Sequence, residues 1–192
     1  MKTVSISGSL RANVGKKDAK QNRAEGKVPC VVYGGKEEMH FIVEEKDLHQ
    51  IIFTPYNFLI DLDIEGKKMQ AIMQDIQYHP VTEKPLHVDF LEVSEKKPVI
   101  LSLPIRISGT SKGVLRGGKM VKKYRKLKVK GLAKDMPEEI NIDITELDIN
   151  DALQVSDVKV DNIQMLDIPT ATIISIASTR AVEPAAGAAP AK

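Results

Sequence analysis

Apolar and polar residues alternate with a period of two along most of this chain, the pattern of strands that bury one face. Val4, Ile6, Gly8 and Leu10 alternate with Ser5, Ser7 and Ser9. Val28 to Tyr33 is a continuous apolar run closed by Gly34-Gly35, a hairpin signal, and His40 to Val43 is the returning strand. Asn57 to Ile64 and Lys67 to Tyr78 flank Glu65-Gly66 and predict a second hairpin. Leu86 to Val93 ends this group, with Leu86, Val88 and Phe90 on one face and His87, Asp89 and Leu91 on the other. Glu95-Lys96-Lys97-Pro98 reads as a linker. Beyond it Val99, Leu101, Leu103, Ile105 and Ile107 share a face, Ser108 to Lys119 is a Gly-rich basic loop, and 121–130 is a strand. Ile140, Ile142 and Ile144 alternate with polar residues, and 170–177 is a last strand.

Two segments break the period. Residues 16–25 are mostly strong helix formers, followed by Gly26 where a C-terminal cap belongs. Residues 45–53 set Leu48, Ile51 and Ile52 on one side, so this helix packs on the sheet, and the acids at its start suit the helix dipole. The fold class is therefore mainly β with a few short helices. Its expected parts are an N-terminal domain over 1–95, a C-terminal β-domain over 96–180, and a low-complexity tail, 181–192, that cannot bury a core and is expected to be disordered.

Composition adds exclusions. With aromatics at 4% and no Trp, the core is aliphatic. No stretch approaches the ~18–20 apolar residues of a membrane span, and the N-terminal MKTVSISGSL lacks the apolar run of a signal peptide. A single cysteine, Cys30, sits in an apolar run and reads as a small buried hydrophobe in a reducing, cytoplasmic setting.

The charges are sorted into blocks that a net charge of +2 hides. Residues 1–36 hold eight Lys/Arg against two Asp/Glu, and 37–110 hold seven against thirteen. Residues 111–134 hold ten bases and no acid, and 135–167 hold one base and ten acids. Two separated basic blocks in a near-neutral chain point to a polyanionic partner met at defined places. The alternative is that each basic block pairs with a neighbouring acidic one.

Three constellations carry possible chemistry. Lys16, Lys20, Arg23 and Lys27 are spaced four, three and four, which places them on one helical stripe. Like charges there repel, and Ala19 and Ala24 offer little burial, so a phosphate backbone is the natural source of order. Gln74, Asp75 and Gln77, with His79, His87 and Asp89, form a polar strand set able to read base edges or a 2′-hydroxyl. Strict alternation separates Gln74 from Gln77, so either a bulge intervenes before Pro80 or only one of them reaches a partner. Lys122, Tyr124, Lys126, Lys128 and Lys130 share one face of the 121–130 strand, either lying along phosphates or guarding an edge. No nucleophile motif, HExxH, paired-cysteine or phosphate-loop pattern occurs, so no catalytic residue, metal or cofactor is expected. A hydrolase built on His79, His87 and Asp89 is the weaker reading, and a protein–protein adaptor working through the charge-split second half is the alternative from another class.

GKKDAKQNRAEGKVPCVVYGG, then QDIQYHP, then HVDF resemble the bacterial large-ribosomal-subunit protein family numbered twenty-five. MPEEINIDITEL and ALQVSDV resemble the C-terminal domain of that family's long members, the CTC or general stress type. The resemblance implies an N-terminal small β-barrel that binds 5S ribosomal RNA at loop E in the central protuberance, on a cytoplasmic ribosome, with no membrane or small-molecule partner. Carried over by motif, Lys16, Lys20 and Arg23 match basic helix positions and Arg11 a basic position before them. Tyr33 matches the tyrosine ahead of the paired glycines, and Gln74, Gln77, His87 and Asp89 match the polar set on RNA-facing strands. Ala19 stands where the family often carries a hydroxyl, and Lys20 replaces an arginine, losing the planar fork.

Overall fold

The computed structural model describes residues 1–179 apart from Ala12, Lys36, Glu95, Lys96, Lys159 and Asp161. The expectations for the tail at 181–192, and for the Glu95-Lys96 part of the linker, lie outside the described residues.

Six strands close into a barrel: β1 (Lys2–Leu10), β2 (Lys27–Tyr33), β3 (Met39–Glu44), β4 (Phe58–Ile64), β5 (Lys67–Tyr78) and β6 (Pro85–Glu92), in the order β1-β3-β2-β6-β5-β4. Closure comes from a parallel pairing of β1 with β4, running from Lys2↔Phe58 to Gly8↔Ile64, which leaves no open edge. A second parallel pairing joins β2 to β6, Cys30↔Val88 through Tyr33↔Leu91. The predicted hairpins are both present. The β4–β5 turn has Glu65 at φ 49° and Gly66 at φ 89°, the left-handed pair that matches the twist of a two-residue hairpin. The β2–β3 hairpin pairs from Lys27↔Glu44 to Val32↔Met39.

The inward faces of these strands fill the barrel with Ile6, Val28, Cys30, Val32, Phe41, Val43, Ile60, Leu62, Ile64, Val88 and Phe90. Helix α2 (Glu45–Ile52) adds Leu48 and Ile51 to the same core, as its apolar side predicts. The Phe41 and Phe90 rings meet at 5.7 Å between centroids. Helix α1 (Lys16–Ala24) is different, because none of its residues is buried.

The second half forms two sheets around its own core. One runs β10 (Ile140–Asp143), β7 (Val99–Ser108), β9 (Lys126–Gly131), β12 (Gln164–Met165). The other runs β11 (Ala152–Gln154), β13 (Thr172–Ala177), β8 (Lys119–Lys122). Two expectations change here. The Gly-rich loop contains a one-turn helix, α3 (Lys112–Leu115), capped by the buried Ser111 hydroxyl, which accepts from the Gly113 and Val114 amides. The expected strand over 121–130 is two strands in different sheets. The Lys123 amide still bonds the Ile173 carbonyl on β13 at 2.9 Å, whereas the Arg125 carbonyl already accepts from the Ile105 amide on β7 at 3.0 Å. Lys122 and Tyr124 therefore do not share a strand face with Lys126, Lys128 and Lys130.

The two halves are pinned together. The outward side chain of Ile72 on β5 is buried in the second core, with Leu59, Leu91 and Val93 packed against it. The Asn57 amide donates to the Ser102 carbonyl at 2.9 Å, and Lys2 pairs with Glu138 at 3.5 Å.

Candidate nucleic-acid interface

The polar strand set lies on the outer surface of β2, β6 and β5. Register places Val31 beside Asp89, Asp89 beside Asp75, and His87 beside Gln77. The pairing of β5 with β6 shifts between Met73 and Asp75, so Gln74 is an extra residue, a bulge. This resolves the parity problem. Met73 and Ile76 pack on the barrel core, while Gln74, Asp75 and Gln77 are all exposed. His87 Nδ1 lies 2.7 Å from Asp89 Oδ1. An ionised carboxylate only accepts, so Nδ1 is the donor in this bond and the ring is held in one orientation. His79 has another task. Its Nδ1 accepts from the Val81 and Thr82 amides at 3.3 and 3.2 Å and shapes the β5–β6 turn, so it does not join His87 and Asp89 in a catalytic set.

Helix α1 borders this surface. Arg23 Nε donates to the Leu86 carbonyl at 2.9 Å, the residue immediately before His87 on β6. Lys16 and Lys20 are exposed and form no ion pair among the described residues. The helix ends at Ala24, and Gly26 (φ 77°) turns the chain into β2. Lys27 is thus the first residue of β2 rather than a fourth member of the helical stripe, and its ammonium lies 3.4 Å from Glu25.

Arg11 stands apart from the other cations. Its side chain is only 6% exposed, and its Nε and Nη2 both donate to Asp18 Oδ2, at 3.0 and 2.6 Å. Asn22 donates to the same oxygen at 3.0 Å. Arg11 is itself tied to β3, because its backbone amide bonds the His40 carbonyl at 3.0 Å. The charge of Arg11 is therefore committed inside the protein, where it holds a helix that has no buried side chain of its own. The sequence carries a faint sign of this brace, since Asp18 is one of only two acids in the first thirty-six residues. Arg11 lies outside α1, so helical spacing does not show the pairing.

Tyr33 is half-buried at the end of β2. Burial, and then the nearby Asp89 and Asp75 carboxylates, raise its phenol above the ordinary value. Burial, followed by Asp89, pushes the Cys30 thiol far up, which makes it an inert core group. Among the described residues no group of three or more His, Cys, Asp or Glu is placed to hold a metal, and no helix is long and apolar enough to cross a membrane. The arrangement offers amide and imidazole groups for hydrogen bonds on the outer strand face, with the exposed cations of α1 beside it. That combination suits a folded polyanion whose surface shows both phosphates and polar edges.

Comparison with known proteins covers nearly the whole chain. Residues 6–90 match the Ribosomal L25p family, and residues 98–180 match the C-terminal domain of ribosomal protein TL5. The large ribosomal subunit protein bL25 of Amoebophilus asiaticus is 41% identical, over 100% of this chain and 97% of its own length. The bL25 proteins of Cytophaga hutchinsonii (41%) and Porphyromonas gingivalis (39%) each align with 97% of this chain and 98% of their own length.

Proposed function

Because this chain belongs to the ribosomal L25p family, in the form that carries a TL5-type second domain, we propose that it binds 5S ribosomal RNA at the loop E region of the central protuberance. Membership makes it a structural component of the large ribosomal subunit and not an enzyme, with a ribosome-associated, cytoplasmic place of work. The finer reading rests chiefly on one observation. Arg23 docks the basic helix onto Leu86, so the cations of α1 and the polar face that begins at His87 form one continuous surface.

On this reading Lys16, Lys20 and Arg23 lie along phosphates, gaining affinity from counterion release. Gln74, Gln77 and His87 face the groove. An A-form helix has a major groove too narrow for side chains, and an internal loop of non-standard pairs opens that shape to a strand face. Asp89 holds the His87 ring, or accepts from a base amine. Tyr33 stays neutral beside two carboxylates and contributes a hydroxyl and a ring edge. Lys27 adds charge where α1 meets β2. Arg11 acts as a positioning residue that keeps α1 on the barrel.

The test is titration of the full chain with 5S ribosomal RNA across a salt series. Binding should weaken linearly in log salt, and Lys16→Gln with Lys20→Gln should make the slope shallower by about one unit per lost contact. Binding that is absent, or indifferent to salt, refutes the proposal.

A further inference from the structure

The barrel face does not stop at the end of β5. A cleft of about 480 Å³ runs between the bulged part of β5 and the outer face of the second domain. Gln74, Asp75 and Tyr78 line one wall, and Lys126 and Lys128 line the other. Asn57, bonded to the Ser102 carbonyl at 2.9 Å, ties the two walls to each other within the cleft.

The two lysines have no evident structural purpose. Their strand neighbours Leu127 and Val129 are fully buried and supply the packing. Protecting a free edge does not explain Lys128 either, because β9 pairs with β7 along one side and is met from Lys128 to Lys130 on the other by β12 and the Leu166 amide. Of the acids that follow in sequence, Asp167 reaches β9, where its carboxylate accepts from the Lys128 backbone amide at 2.7 Å and not from an ammonium group. Arg116 pairs with Asp148, but Lys126, Lys128 and Lys130 form no ion pair among the described residues. Two unpaired ammonium groups therefore face a cleft whose opposite wall is the end of the polar barrel surface. Asp75 is the one acid lining it, and one of its oxygens is already taken by the Ile76 amide at 2.9 Å.

We infer that this cleft is a second RNA-backbone site, in which Lys126 and Lys128 hold phosphates of the strand that leaves the barrel face past Gln74. The inference deepens the reading of the barrel as an RNA-binding surface and rests on it. RNA fits better than an acidic protein segment because Gln74 belongs to both surfaces, so one continuous polyanion reaches both. The second domain then does more than fill space beside the barrel, since it lengthens the RNA footprint.

The experiment uses the full chain and intact 5S ribosomal RNA. Lys126→Gln with Lys128→Gln is compared with a charge-matched control, Lys112→Gln with Lys119→Gln, on α3 and β8. All four side chains are exposed, so folding is preserved. With ~0.7–0.9 counterions released per phosphate, losing two contacts should make the log–log salt slope shallower by about 1.4–1.8. The same arithmetic gives affinity lower by roughly 25- to 60-fold at about 0.1 M salt. The control should leave the slope unchanged, and a short hairpin carrying loop E alone should bind the cleft variant and the wild type equally. An unchanged slope in the cleft variant, or an equal change in the control, overturns the inference while the barrel reading stands. Failure of the wild-type chain to bind RNA at any salt overturns both.

Discussion

Asp18→Asn is the change that best tests how the helix is held. Arg11 is 6% exposed and Asp18 34%, so the pair is dry on one side and wet on the other. Removing one partner of a fully buried pair costs about 3–5 kcal/mol, because the remaining charge is left uncompensated. Partial exposure of Asp18 lets water replace some of what is lost, which brings the expected cost to about 2 kcal/mol. That cost should fall locally. Helix α1 has nine residues and buries none of them, and an isolated helix shorter than ~12–15 residues is marginal in water. The helix should therefore open from the barrel without unfolding it.

Native-state hydrogen exchange reads this directly. At 1.4 kcal/mol per factor of ten, α1 amides should exchange roughly 30-fold faster in the variant, with the amides of Val32 and Phe41 unchanged. RNA affinity should fall too, by no more than about 30-fold, because only the docked fraction of the helix is competent to bind. Replacing both partners with apolar residues, Arg11→Met with Asp18→Leu, should recover much of the docking, since no charge is then stranded. Unchanged exchange in α1, or acceleration of Val32 and Phe41 in step with it, would refute the brace.

Cys30 should resist alkylation by iodoacetamide at pH 8 in the native protein and react on addition of denaturant, because burial holds the thiol protonated and out of reach. Tyr33 is raised above its unfolded value of 10.0, so the unfolded chain loses that proton first. Its contribution is fully present below pH 10 and is lost as pH rises toward the folded value, and Tyr33→Phe should flatten the alkaline decline in a denaturant-midpoint series. Ile72→Ala should cost about 2–4 kcal/mol in urea unfolding, and the loss should register in probes of both cores, because this barrel residue is buried in the second one. Deleting Gln74 should leave stability intact, with Met73 and Asp75 in unbroken register against Phe90 and Asp89, yet weaken RNA binding; a large drop in melting temperature would show that the bulge is structurally required.

Local pattern carried much of this fold into view. The Glu65-Gly66 hairpin, the alternating faces of Val99 to Ile107 and Ile140 to Ile144, and both longer helices depend on neighbours in sequence, which periodicity reports. Barrel closure does not. The pairing of β1 with β4 joins residues more than fifty positions apart, and it was family likeness, not alternation, that suggested a barrel. The break at 123–125 was hidden because Lys-Tyr-Arg prolongs an alternating run while the backbone changes sheets. At the candidate site, the helix cations and the His87–Asp89 pair were legible from spacing. The inward commitment of Arg11 and the departure of Lys27 from the stripe were not, since each depends on where the chain turns.

The bulge in β5 matters because this strand meets three different demands. Up to Met73 its inward residues fill the barrel while outward Ile72 is covered by the second domain. Past that point the outer face is open to solvent. Uninterrupted alternation through Gln74 would turn Asp75 and Gln77 into the barrel and Ile76 outward, burying a carboxylate and an amide without partners at a cost of several kcal/mol. One extra residue shifts the parity, keeps Ile76 in the core, and leaves three polar outward positions (Gln74, Asp75 and Gln77) where regular alternation gives two. The same residue lines the cleft shared with Lys126 and Lys128. A bulge also increases local twist, and this one lies where the polar face meets the cleft beside the second domain. Continuity between the barrel surface and the cationic cleft thus follows from one inserted position, and that is why both proposed RNA contacts should respond to changes at Gln74.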